Sequence, residues 1–387
     1  MYSVCIYGGN GKIGTATARC LNILGYAVDS IDVAGGNDYT RYNFYHIPPE
    51  DMHNIGEYDA IINCGPYEMS HRIRKAAKDA KTKYIDFGGD IKIEEEIRDD
   101  IAGCEHGVMT GVGIAPGYIN LMASSAVKFL KNLGHKPKKL YMYTGGISVN
   151  SNDNILGWKP TWSVEGLLKS YNEKSKIIIK GNIEEVEALS EHGNIVYVPR
   201  ADNTTVLEME KFINSGGLSH TLYEMLDENL EECIYYTLRW PGHVKCVMAM
   251  TKMKEHLHMT DSDFAKLLYD ICNTKCIDIV LCSLYLYYQD PEKEEGNYSL
   301  DLCKQYFVPH DDMSAMQVAT CISGASMIDF IVKENMKGFI TYRDLDFYEI
   351  KNTCDIINSG LGIVFSNREV SQYEAHNTTI QGEHDVL

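Results

Sequence analysis

The sequence predicts an α/β protein in two parts: a doubly wound parallel sheet first, then an α+β domain with a mostly antiparallel sheet. Three observations carry this. The chain opens on an apolar run, Val4-Cys5-Ile6-Tyr7, passes directly into Gly8-Gly9-Asn10-Gly11-Lys12-Ile13-Gly14, and continues with helical spacing over 15–24. Short buried-type strands then alternate with helices to about residue 113, the pattern of a parallel sheet. Beyond Ala115-Pro116-Gly117 strand-like runs dominate, with helices of moderate length between them.

Gly9, Gly11 and Gly14 make a GxGxxG strand-to-helix turn. The first glycine allows the tight turn, the second lets the backbone approach a pyrophosphate, and the third lets helix and strand pack closely. The helix N-terminus then offers free N–H groups and positive potential to phosphates. This is the Rossmann arrangement, and it makes Gly9, Asn10, Gly11, Lys12, Ile13 and Gly14 candidate cofactor-binding residues. Glycines alone also occur in plain structural turns; here the flanking elements and a downstream acid agree with binding. The second strand is expected over 27–33, with Asp32 near its end at the distance where an acid bonds the adenosine ribose hydroxyls. A carboxylate there repels a 2′-phosphate, and the next arginine, Arg41, is nine residues on, so NAD is favoured over NADP. Asp29 is the rival for that role.

Further along, Ile47-Pro48-Pro49 breaks any regular element. A buried strand over 59–64 runs into the loop Gly65-Pro66-Tyr67, and loops at such carboxyl ends line the cofactor crevice. This makes Cys64, Gly65 and Pro66 cofactor candidates and Tyr67 a substrate candidate. A helix is expected over 69–80, a strand from Tyr84 into Gly88-Gly89-Asp90, a charged helix over 91–102 and a strand over 107–113. A helix over 118–130 and a basic linker, Lys136-Pro137-Lys138-Lys139, open the second part. Strands are expected there over 140–143, 176–180, 195–198, 207–213, 233–240 and 277–288, the last long enough to be a buried helix instead. Helices are expected over 164–171, 218–228, 244–254 and 261–271. A long helix rich in small residues, 313–332, is expected to return to the first domain. The expected division is a dinucleotide-binding domain 1–117, an α+β substrate and dimerisation domain 118–312, a C-terminal helical segment 313–366 packing back on the first domain, and a polar tail 367–387.

Composition narrows the partners. A formal net charge of −18 argues against nucleic acid or an anionic membrane surface. Small anionic substrates in a local basic pocket stay open. Twelve cysteines are scattered without a CxxC pair, which fits free thiols in a reducing compartment. No zinc spacing is visible, so no metal is expected. The first strand begins at once, leaving no room for a signal peptide, and the longest apolar run noted, 277–288, is too short to span a membrane. A cytoplasmic protein is expected.

Several stretches resemble the saccharopine dehydrogenase family, in the branch that holds lysine 6-dehydrogenase and saccharopine reductase-like enzymes. They are Gly9-Asn10-Gly11-Lys12-Ile13-Gly14, Ile62-Asn63-Cys64-Gly65-Pro66-Tyr67, Tyr84-Ile85-Asp86-Phe87-Gly88-Gly89-Asp90 and Gly113-Ile114-Ala115-Pro116-Gly117. Thr161-Trp162-Ser163-Val164-Glu165-Gly166, Asn214-Ser215-Gly216-Gly217-Leu218, Thr237-Leu238-Arg239-Trp240-Pro241-Gly242-His243 and Ser314-Ala315-Met316 follow in order. The aromatic-Pro-Gly-His stretch is the most specific. Two departures bear on substrate: Trp240 stands where the family pattern has tyrosine, and Thr144 where saccharopine reductases often carry cysteine.

The resemblance implies NAD(P)-linked oxidation of an amine, or reduction of an imine, on an amino acid or polyamine-type substrate, by a homodimer. Lysine 6-dehydrogenase-like chemistry leads; saccharopine reductase and a carboxynorspermidine-type dehydrogenase are the alternatives, and an NAD-binding regulator without turnover is a third. Arg239 suits a carboxylate clamp through its planar fork, a structural ion pair being the other reading. His243 can accept a proton or bond a carboxylate, or simply begin the next helix. Asp90 can hold an ammonium or act as base, or cap a helix. Trp162 can wall the site by cation–π contact, or pack in the core. Thr144 and Gly145 belong to a turn that resembles a substrate-side loop. Cys64 reads as a packing residue rather than a nucleophile.

Overall fold

Val4 and Ile6 are closed to solvent, which commits β1 (Ser3–Tyr7) to the middle of a sheet. The computed structural model describes residues 1–33, 44–45, 55–66, 69–88, 95–98, 105–199, 206–291, 297–363 and 376–377. Past the glycine turn come α1 (Lys12–Ile23), β2 (Ala27–Ile31), β3 (Phe44–Tyr45), β4 (Ala60–Asn63), α2 (Ser70–Asp79), β5 (Lys83–Asp86) and β6 (Gly107–Met109). Next are α3 (Tyr118–Asn132), β7 (Lys136–Ser148), α4 (Val164–Asn172), β8 (Ser175–Ile179), β9 (Asn182–Val186), β10 (Asn194–Pro199), β11 (Val206–Phe212), α5 (Thr221–Asp227) and β12 (Glu232–Arg239). The chain ends with α6 (His243–His256), α7 (Asp261–Cys272), β13 (Asp278–Gln289), β14 (Asn297–Phe307), α8 (Ala315–Lys333), β15 (Gly338–Phe339), α9 (Phe347–Leu361) and β16 (His376–Asn377).

These elements form two compact units. The first takes in 1–122, 219–221 and 317–365; the second takes in 123–218 and 222–316, with β16 on its sheet. The first unit holds a parallel sheet in the order β15-β6-β5-β4-β1-β2-β3. Growth from β1 runs outward through β2 to β3, then resumes on the other side with β4. That reversal puts the topological switch point between β1 and β4, where open α/β sheets bind ligands. Ile61, Ile73, Ala77, Tyr84 and Val108 form its core between β-strands and α2. Gly324 on α8 lies against Phe87 and Gly360 on α9 against Ile23 of α1, where an added Cβ would come within 2.6 and 2.5 Å.

The second unit is built on a mixed sheet, β10-β11-β12-β7-β13-β14-β16, with β8 and β9 branching from β12. All its pairings are antiparallel except β12 with β7. A second core joins α4, α6 and α7 through Trp158, Leu167, Phe212, Val247 and Phe264.

Three expectations are corrected. The basic linker 136–139 is part of β7: Lys138 and Lys139 pair with Glu231 and Glu232, and Pro137 sits where the register against β13 shifts, a place that tolerates a missing donor. The Thr144-Gly145 turn is also continuous β7. The strand expected over 277–288 is β13, whereas β9 and β14 were not foreseen. Among the described residues it is α8, not 277–288, that by length and composition could cross a membrane, and it is mostly buried within the fold, as a core helix is.

Candidate cofactor and substrate sites

In the first unit the glycine turn has no spare volume. Gly8 takes φ +76°, a left-handed conformation that favours glycine. A Cβ on Gly14 would stand 2.2 Å from the Gly8 carbonyl oxygen, and one on Gly9 would stand 1.6 Å from Ser30 Oγ. The turn is held by Gly8 N–H donating to Ile31 O at 2.8 Å and Gly11 N–H to Gly8 O at 3.1 Å. Helix α1 starts at Gly11 without a side-chain cap and without an acid in its first turn. An uncapped, unopposed helix N-terminus on a backbone pressed into the strand is the cradle a pyrophosphate requires. Lys12 and Ile13 are its first two helical residues. Asp32 lies just past β2, and its Oδ2 accepts the Asn10 N–H at 2.8 Å. The rival Asp29 is instead engaged by the Tyr58 hydroxyl at 2.7 Å.

The carboxyl end of β4 carries Cys64, Gly65 and Pro66. Cys64 N–H donates to Tyr7 O at 2.8 Å and Gly65 N–H to Asn63 Oδ1 at 3.0 Å. Burial pushes the Cys64 thiol well up, the state of a packed thiol rather than a nucleophile. Beneath this loop lies a polar chain the sequence reading passed over. Asn63 Nδ2 donates to Ser70 Oγ at 3.0 Å and to Tyr84 Oη at 3.3 Å, and the Tyr84 hydroxyl donates to Asp86 Oδ2 at 2.8 Å. Asp86 also accepts Gly88 N–H at 2.8 Å. Burial raises its pKa to about 6 against the lowering effect of those donors and of Arg74. Tyr67 and Asp90 lie outside the described residues.

In the second unit Arg239 ends β12 and His243 begins α6 just beyond it. Arg239 is 5 % exposed, and one Nη donates to the Leu238 carbonyl at 2.9 Å. Its Nε–H is buried without a partner, and among the described residues no carboxylate forms an ion pair with it. Glu210 stands directly opposite on β11, yet its oxygens are committed to backbone donors: Gly193 N–H at 3.0 Å, Gly242 N–H at 2.9 Å and Val244 N–H at 3.5 Å. Glu210 therefore fixes the Trp240-Pro241-Gly242 turn and the start of α6 rather than neutralising Arg239 at contact. A carboxylate on the inward side of a strand was the sequence signal for this role.

His243, a candidate proton acceptor, is 2 % exposed with both ring nitrogens engaged: Nδ1 at Leu156 O, 2.9 Å, and Nε2 at the Tyr171 hydroxyl, 3.1 Å. Burial, and then the Arg239 charge, lower its pKa to about 3. It is neutral and has no ring nitrogen left for a substrate, so the proton-acceptor reading is replaced by a positioning one. Thr144 shares a row across three strands with Thr237 and Cys282, on the face that also carries Arg239; its Oγ1 lies 3.7 Å from Cys282 Sγ. Gly145 is pressed against Leu238, whose carbonyl oxygen would be 2.7 Å from a Cβ. Trp162 is partly buried on the α4 core with its ring over Gly166, which is packing. Trp240 uses its indole N–H on Ser148 O at 2.8 Å, a bond across β12 and β7 that fixes the turn.

A parallel sheet with a glycine turn at its switch point, and a mixed-sheet unit with a buried guanidinium that has no carboxylate ion pair among the described residues, give the two-unit build of dinucleotide-dependent proteins. Residues 113–350 match the model of the saccharopine dehydrogenase C-terminal domain, and the chain belongs to the saccharopine dehydrogenase family. The chain is 27 % identical over 210 residues to the saccharopine dehydrogenase [NADP(+), L-glutamate-forming] of Saccharomyces cerevisiae, a match spanning 51 % of this chain and 44 % of that enzyme. It is 22 % identical over 204 residues to the mitochondrial alpha-aminoadipic semialdehyde synthase of Rattus norvegicus, spanning 51 % of this chain and 21 % of that one. The matches thus span less than half the length of these curated relatives. Among solved structures, the apo yeast saccharopine dehydrogenase superposes with a TM-score of 0.70 at 16 % identity, covering 94 % of this chain and 98 % of that one. The homospermidine synthase of Legionella pneumophila, solved with NAD, gives 0.62 at 12 % identity, covering 99 % and 94 %. At these identities the likeness is one of fold.

Proposed function

We propose that the protein is a nicotinamide-dependent oxidoreductase acting at a C–N bond of an amino acid, with the substrate carboxylate held by Arg239. The observation that carries this is the buried guanidinium with an unpartnered N–H and, among the described residues, no carboxylate ion pair. Burying such a charge is costly unless a counter-charge arrives, and a ligand carboxylate supplies it. Gly9, Asn10, Gly11, Lys12, Ile13, Gly14 and Asp32 would hold the dinucleotide, with Cys64, Gly65 and Pro66 supporting it at the end of β4. When bound, the nicotinamide accepts or donates the hydride. The Asp32 carboxylate supports NAD over NADP, although the yeast relative is named for NADP. The free thiols support a reducing, cytoplasmic setting, and homodimerisation is carried over from the family resemblance.

Within this reading a lysine 6-dehydrogenase-like reaction stands first. Saccharopine as substrate is favoured by the activity for which the yeast relative is named, and a carboxylated polyamine by the homospermidine synthase fold match. The test is a screen of lysine, saccharopine and diamine-derived carboxylates with NAD and NADP, following absorbance of the reduced cofactor. Turnover with one of them, lost by about 2–4 kcal/mol in kcat/KM in Arg239→Ala, is the expected result. Tight NAD binding without turnover of any of them would favour the regulator instead.

A further inference from the structure

We propose that Asn63, Tyr84 and Asp86 form a buried hydrogen-bonded tie that positions the loops beneath the nicotinamide half of the cofactor, with Tyr84 as the central positioning residue; this rests on the reading of the glycine turn as the dinucleotide site. Sheet order decides where that half lies. Asp32 follows β2 and the glycine turn follows β1, while β4 and β5 continue the sheet on the other side of β1. A dinucleotide with its adenosine ribose at Asp32 and its pyrophosphate at the turn therefore carries its nicotinamide toward the carboxyl ends of β4 and β5. Asn63 and Asp86 close those two strands as register partners, and Tyr84 lies two residues before Asp86, so the three side chains share one face of the sheet. Each is buried.

Backbone donors at both ends fix the direction of every bond. The Gly65 N–H can only donate, so the Asn63 atom 3.0 Å from it is the amide oxygen. The amide nitrogen is then left to donate, to Ser70 Oγ at 3.0 Å and to Tyr84 Oη at 3.3 Å. The phenol accepts there and sends its one hydrogen to Asp86 Oδ2 at 2.8 Å. Asp86 Oδ1 accepts the N–H groups of Gly88 at 2.8 Å and Gly111 at 3.4 Å. One line of bonds thus joins the loops that follow β4, β5 and β6. The loops after β5 and β6 also touch: Gly88 and Gly111 take φ of +71° and +75°, and a Cβ on Gly88 would stand 2.7 Å from Gly111 Cα. Apolar side chains would fill this space at lower desolvation cost, but they could not hold the Gly65 and Gly88 N–H groups inward. The β1 turn is held separately, by Ile31 O and by its own backbone. Loss of the tie therefore leaves the pyrophosphate cradle in place and loosens the loops after β4, β5 and β6.

The experiment compares NADH with ADP-ribose, which lacks the nicotinamide, by isothermal titration calorimetry on the full chain. Tyr84→Phe keeps the ring and removes the central oxygen of the line; it should weaken NADH about tenfold and leave ADP-ribose within about twofold of wild type. Asp86→Asn should show the same selective loss, since its amide oxygen can serve the phenol or the two glycines and its nitrogen cannot serve the other. Ser70→Ala is the control. It removes a buried hydroxyl that Asn63 touches, off the line between the loops, and should leave the ratio of the two affinities unchanged. Thermal melts followed by circular dichroism check the fold of the first unit, because all three tryptophans, Trp158, Trp162 and Trp240, lie in the second unit and report on that one. Should one of Tyr84→Phe and Asp86→Asn melt below the assay temperature, the other carries the test. Equal losses of NADH and ADP-ribose, no loss of NADH, or the same selective loss in Ser70→Ala would overturn the positioning role and leave the cofactor site standing. A wild-type chain that binds neither NADH nor ADP-ribose would overturn the cofactor reading itself, and the role of the tie with it.

Discussion

Asp32 accepts the backbone N–H of Asn10 through Oδ2 at 2.8 Å, which ties the end of β2 to the glycine turn. This carboxylate thus shapes the turn beside the proposed nucleotide site. Charge-assisted bonds of this kind are worth about 1.5–3 kcal/mol, so Asp32→Ala should weaken NAD binding by about 10–100-fold. Asp32→Asn retains an acceptor for Asn10 while removing the charge that repels a 2′-phosphate. Its ratio of NADP to NAD affinity should rise at least about tenfold. Fluorescence titration with NADH and NADPH measures both. An unchanged ratio in Asp32→Asn would remove Asp32 from cofactor selection.

The turn itself has no tolerance for a methyl group. Gly14 would put a Cβ 2.2 Å from the Gly8 carbonyl oxygen and 2.7 Å from the Gly9 Cα, both backbone atoms that cannot swing aside. Gly14→Ala should cost about 1–3 kcal/mol in stability through overpacking and displace the cradle, so that dinucleotide affinity falls with it. Gly9→Ala differs, because its Cβ would meet a side chain, Ser30 Oγ at 1.6 Å and Cβ at 2.7 Å. Ser30→Gly should therefore recover much of the loss in Gly9→Ala and none of that in Gly14→Ala. Thermal melts of the four variants, with and without NADH, decide this; equal recovery in both would contradict the packing shown by the glycines.

The first sheet was legible because its strands are short, mostly apolar runs and the glycine turn follows the first of them. Local sequence decides such elements. The second unit was harder. Lys136-Pro137-Lys138-Lys139 reads as linker until Glu231 and Glu232 come alongside on β12, and no window of sequence contains both. The cluster behind Arg239 was half visible for the same reason. Arg239 and His243 lie in one motif, but Tyr171 and Glu210 reach them from α4 and β11, and only the fold reveals that His243 has no free nitrogen. His243 had the residue type and motif of a proton acceptor; burial took that role away.

Acid should act on the two units differently. His243 in the second unit and His220 in the first both have their pKa lowered to about 3. Burial is the main cause in each, followed by Arg239 for one and Arg98 for the other. Both titrate near 6.5 when unfolded. Above that pH neither state is protonated and nothing is lost. Below it the unfolded chain binds protons that the folded chain refuses, so each histidine removes about 1.4 kcal/mol of stability per pH unit until about pH 3. Asp86 runs the other way in the first unit. Its folded pKa, raised to about 6, exceeds the unfolded value of about 3.9, so between those values the folded state takes the extra proton and gains at a similar slope. His220 and Asp86 therefore offset one another below pH 6, while among these three groups His243 alone acts on the second unit. Urea unfolding followed by tryptophan fluorescence reads that unit, and its midpoint should fall between pH 7 and pH 5. His243→Gln cannot titrate and should flatten the fall, whereas His220→Gln should leave the tryptophan-reported slope as it is. An equal slope in wild type and His243→Gln would mean that His243 is not held neutral by the fold.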